Sequence, residues 1–188
     1  MELLVGISNH HIHLTKESYI KLFGNSDLEV RNMLVQTGEF ASNRVVRIRN
    51  HDRVIENVRI LGPFRNYDQV EISKTESIYL KVNAPMRDSG DILNSGSITI
   101  EGPAGVINLK EGLIIPTRHV HMNEDFAKLN GFHNTQKLLI KIDSIKSGTI
   151  EAYIKTSPNG VLELHLDTDD GNAFMLTTGE KVELIEKF

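Results

Sequence analysis

Apolar and polar residues alternate in short runs along most of this chain, the period expected of strands with one buried face. Such runs fall at residues 3–7, 45–49, 54–60, 69–73, 78–82, 97–101, 105–109, 138–142, 149–155, 161–166 and 181–185. Turn residues such as Gly102-Pro103 and Pro158-Asn159-Gly160 punctuate them. Strands this short and this closely spaced predict small barrels or sandwiches rather than a βαβ sheet. Two short helices are expected as well. Thr15 can cap one that runs through Phe23 and closes at Gly24, and Asn123 can cap another that ends at Leu129-Asn130-Gly131.

Each expected helix directly follows a His-x-His phrase, His11-Ile12-His13-Leu14 in one case and His119-Val120-His121-Met122 in the other. Both histidine pairs are offset by 108 positions (11 to 119, 13 to 121). A repeated strand–cap–helix unit at fixed offset predicts internal duplication. The division is expected near Gly112, giving halves of 1–112 and 113–188, with the first strand free to pair with the other half. From Ala84 to Gly96 the chain is rich in turn formers, which suits either a surface connection or an ordered loop over a site.

Side chains two apart on a strand share a face, so each His-x-His phrase aims two imidazoles at one spot. Imidazole is a favoured ligand of zinc and its neighbours, and two such pairs suggest two metals. His10 must point away from His11 and His13, and His51 and His133 have no comparable spacing. Each pair needs a third protein ligand. Gln69 and Glu71 share one face of a run, and His165 lies in line with Glu163 and Asp167, though a solvated strand face would look the same. Arg65, six residues before Glu71, has the planar fork that suits bidentate capture of phosphate or carboxylate.

Composition narrows the chemistry. The chain has 188 residues, 39% hydrophobic and 24% charged, as expected of a globular protein of one large or two small domains. A formal charge of −4 argues against bulk attraction to nucleic acid or to an anionic membrane. No apolar run approaches the roughly 20 residues of a membrane-spanning helix. There is no cysteine, so any metal must be held by nitrogen and oxygen, and the cytoplasm is the default location. Walker A, Gly-x-Ser-x-Gly and His-Glu-x-x-His patterns are missing. Acyl chemistry here would need a metal.

Several blocks, taken in order, resemble the PduL-type phosphate acyltransferases (phosphate propanoyltransferases, or phosphotransacylases) over nearly the whole chain. They are Ser8-Asn9-His10-His11-Ile12-His13-Leu14, Val58-Arg59-Ile60-Leu61-Gly62-Pro63, Gln69-Val70-Glu71-Ile72-Ser73, Ala84-Pro85-Met86-Arg87-Asp88-Ser89-Gly90-Asp91, Arg118-His119-Val120-His121-Met122 and His165-Leu166-Asp167-Thr168-Asp169. The resemblance implies a mainly β protein of two small barrels capped by short helices, with a dinuclear zinc site between them. By motif, one zinc would take His11, His13 and Glu71, and the other His119, His121 and His165. Arg65 would contact phosphate as the catalytic arginine, and Ser8, Arg59, Leu61 and Asn172 would approach coenzyme A. The reaction implied is acetyl-CoA or propanoyl-CoA plus phosphate in exchange with acyl phosphate plus CoA. The family often has Arg where this chain has His10, which bears on anion binding but leaves the inferred ligands intact. Its members often carry an amino-terminal microcompartment-targeting extension. Nothing precedes the first strand here, so a cytosolic enzyme of acetate metabolism is expected. A metal-dependent thioester or phosphoester hydrolase and a non-catalytic metal-binding barrel are the competing readings. Acyl-chain preference, metal identity and whether the chain forms a homo-oligomer stay open.

Overall fold

The computed structural model describes residues 1–188. Its first elements are β1 (Glu2–Ser8), β2 (His11–His13), α1 (Lys16–Phe23), β3 (Val30–Met33), β4 (Phe40–Asn50), β5 (Arg53–Gly62), β6 (Gln69–Glu71), α2 (Lys74–Leu80), β7 (Met86–Arg87) and β8 (Gly96–Glu101). They are followed by β9 (Val106–Pro116), β10 (His119–Asn123), α3 (Glu124–Leu129), β11 (Lys137–Ile142), β12 (Gly148–Ser157), β13 (Glu163–Asp167), α4 (Thr168–Phe174) and β14 (Lys181–Lys187). The fold is mainly β, as the alternation of the sequence predicts.

The strands form two closed six-stranded barrels. One runs β1-β13-β10-β12-β11-β14 and back to β1. The other runs β9-β6-β2-β5-β4-β8 and back to β9, because β8 pairs with both β4 and β9. β3 and β7 are short additions at β4 and β9. Each barrel has its own core. Leu3, Val5, Val120, Leu138, Ile140 and Leu164 fill one, and Ile12, Ile48, Val58, Ile60, Val70 and Ile100 fill the other. Burying a side chain of this size contributes about 1.5–3 kcal/mol.

Pairing directions correspond strand for strand. β1 is parallel to β13 as β9 is to β6, β13 antiparallel to β10 as β6 is to β2, and β10 parallel to β12 as β2 is to β5. In chain order the duplicated set is therefore β1-β2-β4-β5-β6-β8, followed by β9-β10-β11-β12-β13-β14. The opening strand of each set closes the barrel made by the other. Compact units accordingly comprise Met1–Asn9 with Thr117–Phe188, and His10–Pro116. Gly112, where the sequence suggests a division, lies inside β9. A cut there would sever the last strand of the second unit.

Both expected helices form as the caps predict. Thr15 Oγ1 accepts from Ser18 N, Gly24 takes the left-handed conformation that ends α1, and Asn123 accepts from Asp125 N and Phe126 N. Residues 78–82, expected as a strand, are instead mostly helical. Ser73 and Glu76 make a reciprocal capping box that starts α2 and overrides the β-like Ile78-Tyr79-Leu80. A fourth helix, α4, starts at Asp167, which accepts from Asp170 N. Four strands, β2, β6, β10 and β13, therefore run almost directly into N-capped helices.

Candidate active site

Those same four strands carry the candidate ligands. On β2, His11 and His13 share a face while Ile12 enters the core. Antiparallel pairing sets Glu71 of β6 opposite His11 and Gln69 opposite His13. His11 Nε2 and Glu71 Oε2 lie 3.3 Å apart. All three side chains are largely buried, with His11 7%, His13 3% and Glu71 7% exposed. Gln69 is fully buried and fixes the carboxylate: its Nε2 donates to Glu71 Oε1 (2.6 Å) and to Ser89 Oγ (2.9 Å), while its Oε1 accepts from Gly90 N (2.7 Å).

The other unit repeats the plan. Across β10 and β13, His119 stands opposite His165 and His121 opposite Glu163. His119 Nε2 and His121 Nε2 are 3.1 Å apart, and His119 Nδ1 lies 2.8 Å from Thr117 O. A carbonyl can only accept, so His119 donates from Nδ1 and offers its Nε2 lone pair. Arg118, beside it in sequence, makes two bonds to Asp170 of α4 (2.9 and 2.6 Å). That contact holds the guanidinium above its ordinary pKa.

Both groups fit a cation. In each, one donor atom per residue lies within 4.8 Å of the others, His11 with His13 and Glu71, and His119 with His121 and His165. Two nitrogen or oxygen donors bound to one zinc at tetrahedral angles would be roughly 3.3 Å apart. The 3.1 and 3.3 Å separations match that spacing. Imidazole and carboxylate are the donors zinc accepts when thiolate is absent.

Comparison with known proteins gives the chemistry a frame. Residues 4–177 match the phosphate propanoyltransferase family. The chain is 44% identical to a phosphate propanoyltransferase of Priestia megaterium, over 94% of this chain and 82% of that protein. It is 38% identical to one from Thermotoga maritima, over 98% and 89%, and 39% identical to one from Lachnoclostridium phytofermentans, over 96% and 86%. This chain belongs to the phosphate propanoyltransferase family. It is therefore an acyltransferase enzyme.

The remaining predicted residues are distributed over the two units. Arg59 and Leu61 lie on β5, in register with His11 and His13 respectively. Arg59 donates to Ser42 O at 3.0 Å, and burial, followed by the nearby charge of Arg31, lowers its pKa. Arg65 is half-buried, and its backbone N–H bonds Leu14 O, one residue past β2. Its guanidinium donates to Tyr67 Oη (3.0 Å) and Glu39 Oε1 (2.6 Å). Ser8 closes β1 in register with Asp167, and Asn172 lies exposed on α4. His10 bonds Glu76 Oε1 at 2.5 Å, tying the start of β2 to α2. His51 occupies a left-handed turn position between β4 and β5, and His133 is exposed. Sequence reasoning passed over Ser89 and Asp68. Asp68 accepts from Thr15 N and Ser18 Oγ at the head of α1, a role visible only once β6 and α1 are placed. No helix is long and apolar enough to cross a membrane.

Proposed function

We propose that the two clusters each hold one zinc ion and that both ions serve one reaction, the exchange of a short acyl group between coenzyme A and phosphate. Acetyl-CoA or propanoyl-CoA plus phosphate would interconvert with the acyl phosphate plus CoA. The observation that carries this reading is the pair of three-donor sets, each pre-assembled within 4.8 Å, in a chain of this family. Zinc, when bound, would supply Lewis-acid stabilisation of the charge on phosphate and on the developing thioester oxygen.

The chain's own residues would do the rest. Inorganic phosphate is already an anion near neutral pH, so no strong general base is needed. Arg65 orients it. Tyr67 and Glu39 steady the guanidinium, and the remaining donors of its fork would meet phosphate oxygens. Gln69 keeps the Glu71 carboxylate aimed at its cation. Arg59, Leu61, Ser8 and Asn172 approach coenzyme A, with Arg59 offering its charge to a CoA phosphate.

One assay tests the reaction. Zinc-loaded protein is incubated with acetyl-CoA or propanoyl-CoA, with and without phosphate, and free CoA is followed. Release that depends on phosphate, with an acyl phosphate as co-product, is expected. Equal release without phosphate would make the protein a hydrolase, and no release would remove the catalytic reading.

A further inference from the structure

The matching strand patterns of the two clusters carry an assignment for Glu163. Where His13 faces Gln69 across β2 and β6, His121 faces Glu163 across β10 and β13. Each of these residues lies two positions before the third candidate ligand, on the same strand face. Each is also bonded to it: Gln69 Nε2 to Glu71 Oε1 at 2.6 Å, and Glu163 Oε2 to His165 Nε2 at 2.6 Å. The chemistry is complementary. An amide donor holds a carboxylate ligand in one barrel, and a carboxylate acceptor holds an imidazole ligand in the other.

The surroundings of Glu163 decide which edge of the His165 ring remains for a cation. β13 lies between β1 and β10. Gly6 of β1 is in register with His165, and a Cβ there would stand 2.9 Å from Glu163 Cδ and 3.2 Å from His165 Cδ2. The Cδ2–Nε2 edge of the ring therefore faces β1 and Glu163. Cδ2 and Nδ1 flank Cγ on opposite sides, so the edge left for β10, which carries His119 and His121, is the one bearing Nδ1. Glu163 is only 5% exposed and does not join the three residues whose donor atoms lie within 4.8 Å of one another.

We propose that Glu163 is a positioning residue: by accepting the Nε2–H of His165 it fixes the tautomer that presents Nδ1 to the cation. Gly6 reserves the space that the carboxylate and ring require. This inference rests on the reading of His119, His121 and His165 as a metal site. Outer carboxylates of this kind typically change metal affinity by about ten- to a hundredfold.

Zinc titration of the full chain against a competing chelator, together with nitrogen-15 spectra of the imidazoles, tests it. Wild-type protein should take two equivalents. Glu163→Ala should weaken one of them by about ten- to a hundredfold and spare the other. Glu163→Gln, whose amide oxygen still accepts from Nε2–H, should recover most of the loss, and Gly6→Ala should weaken the same equivalent. In zinc-loaded wild-type protein the proton of His165 should sit on Nε2, a readout independent of whether any variant folds. Unchanged affinity in a folded Glu163→Ala protein, or a His165 proton on Nδ1, overturns the proposal. A wild-type protein that takes only the equivalent held by His11, His13 and Glu71 overturns the metal reading of the second cluster as well.

Discussion

Replacing Gln69 with Leu tests whether a buried amide holds the Glu71 carboxylate in place. The substitution keeps side-chain volume close to constant, so the effect should come from polar groups and not from a cavity. Gln69 makes three bonds in a site it shares with no solvent: one to a carboxylate, one to the Ser89 hydroxyl and one from the Gly90 amide. The bond to the charged group is worth about 2 kcal/mol and the two neutral ones about 1 kcal/mol each. A loss of about 4 kcal/mol is a large share of the 5–15 kcal/mol that typically separates folded from unfolded domains. Denaturant unfolding of metal-free protein would read that loss. Zinc titration of the same variant should show one equivalent weakened by about ten- to a hundredfold, because Glu71 is no longer oriented. A Gln69→Leu protein within 1 kcal/mol of wild type, with both zinc affinities intact, would refute the reasoning.

Three further outcomes follow from the site and its supports. His11→Ala and His119→Ala should each bind one zinc equivalent fewer by elemental analysis and lose phosphate-dependent CoA release; two tightly held zincs with full turnover would remove the histidine from the ligand set. Arg65→Ala should lower kcat/KM for phosphate by roughly tenfold to a hundredfold, corresponding to the ~1.5–3 kcal/mol of a charge-assisted bond, with Arg65→Lys losing less; an unchanged phosphate dependence would take Arg65 out of the site. The Glu101 carboxyl is held below its usual value by the Arg49 hydrogen bond, and also by Arg47 against the opposing effect of burial. Its folded pKa lies below its unfolded one, so the stabilisation is complete at neutral pH and disappears as pH falls from the ordinary glutamate range through the folded value. Unfolding of wild type and Glu101→Gln from pH 7 to pH 3 should therefore converge at the acid end, and a constant difference would contradict the assignment.

The alternation of the chain made most of the strands legible. The lengths of β4 and β5 were not, because their register shifts interrupt the period of two. β3 left no signal, since all four of its residues are exposed. The misreading of α2 has a local cause. Ile78-Tyr79-Leu80 looks like a strand by residue type, yet Ile78 is 66% exposed, and the Ser73–Glu76 capping box fixes the helix. At the candidate site, the two His-x-His pairs and the polar pairs Gln69/Glu71 and Glu163/His165 were visible as same-face patterns. Which pair opposes which depends on strand partners 56–60 residues away for β2 with β6, and 42–46 residues away for β10 with β13, and no local rule specifies those. The third ligands therefore entered through family resemblance and not through spacing.

Because each half of the chain lends its opening segment to its sibling, neither half is a portable module. A fragment beginning at Thr117 would leave β13 and β14 without the neighbour that joins them, exposing two raw edges. β14 and β1 already run antiparallel, with Leu184 and Met1 exchanging backbone bonds. A rearranged polypeptide starting at His10, with a short tether from Phe188 back to Met1, would make both barrels contiguous, and then the two could be produced apart.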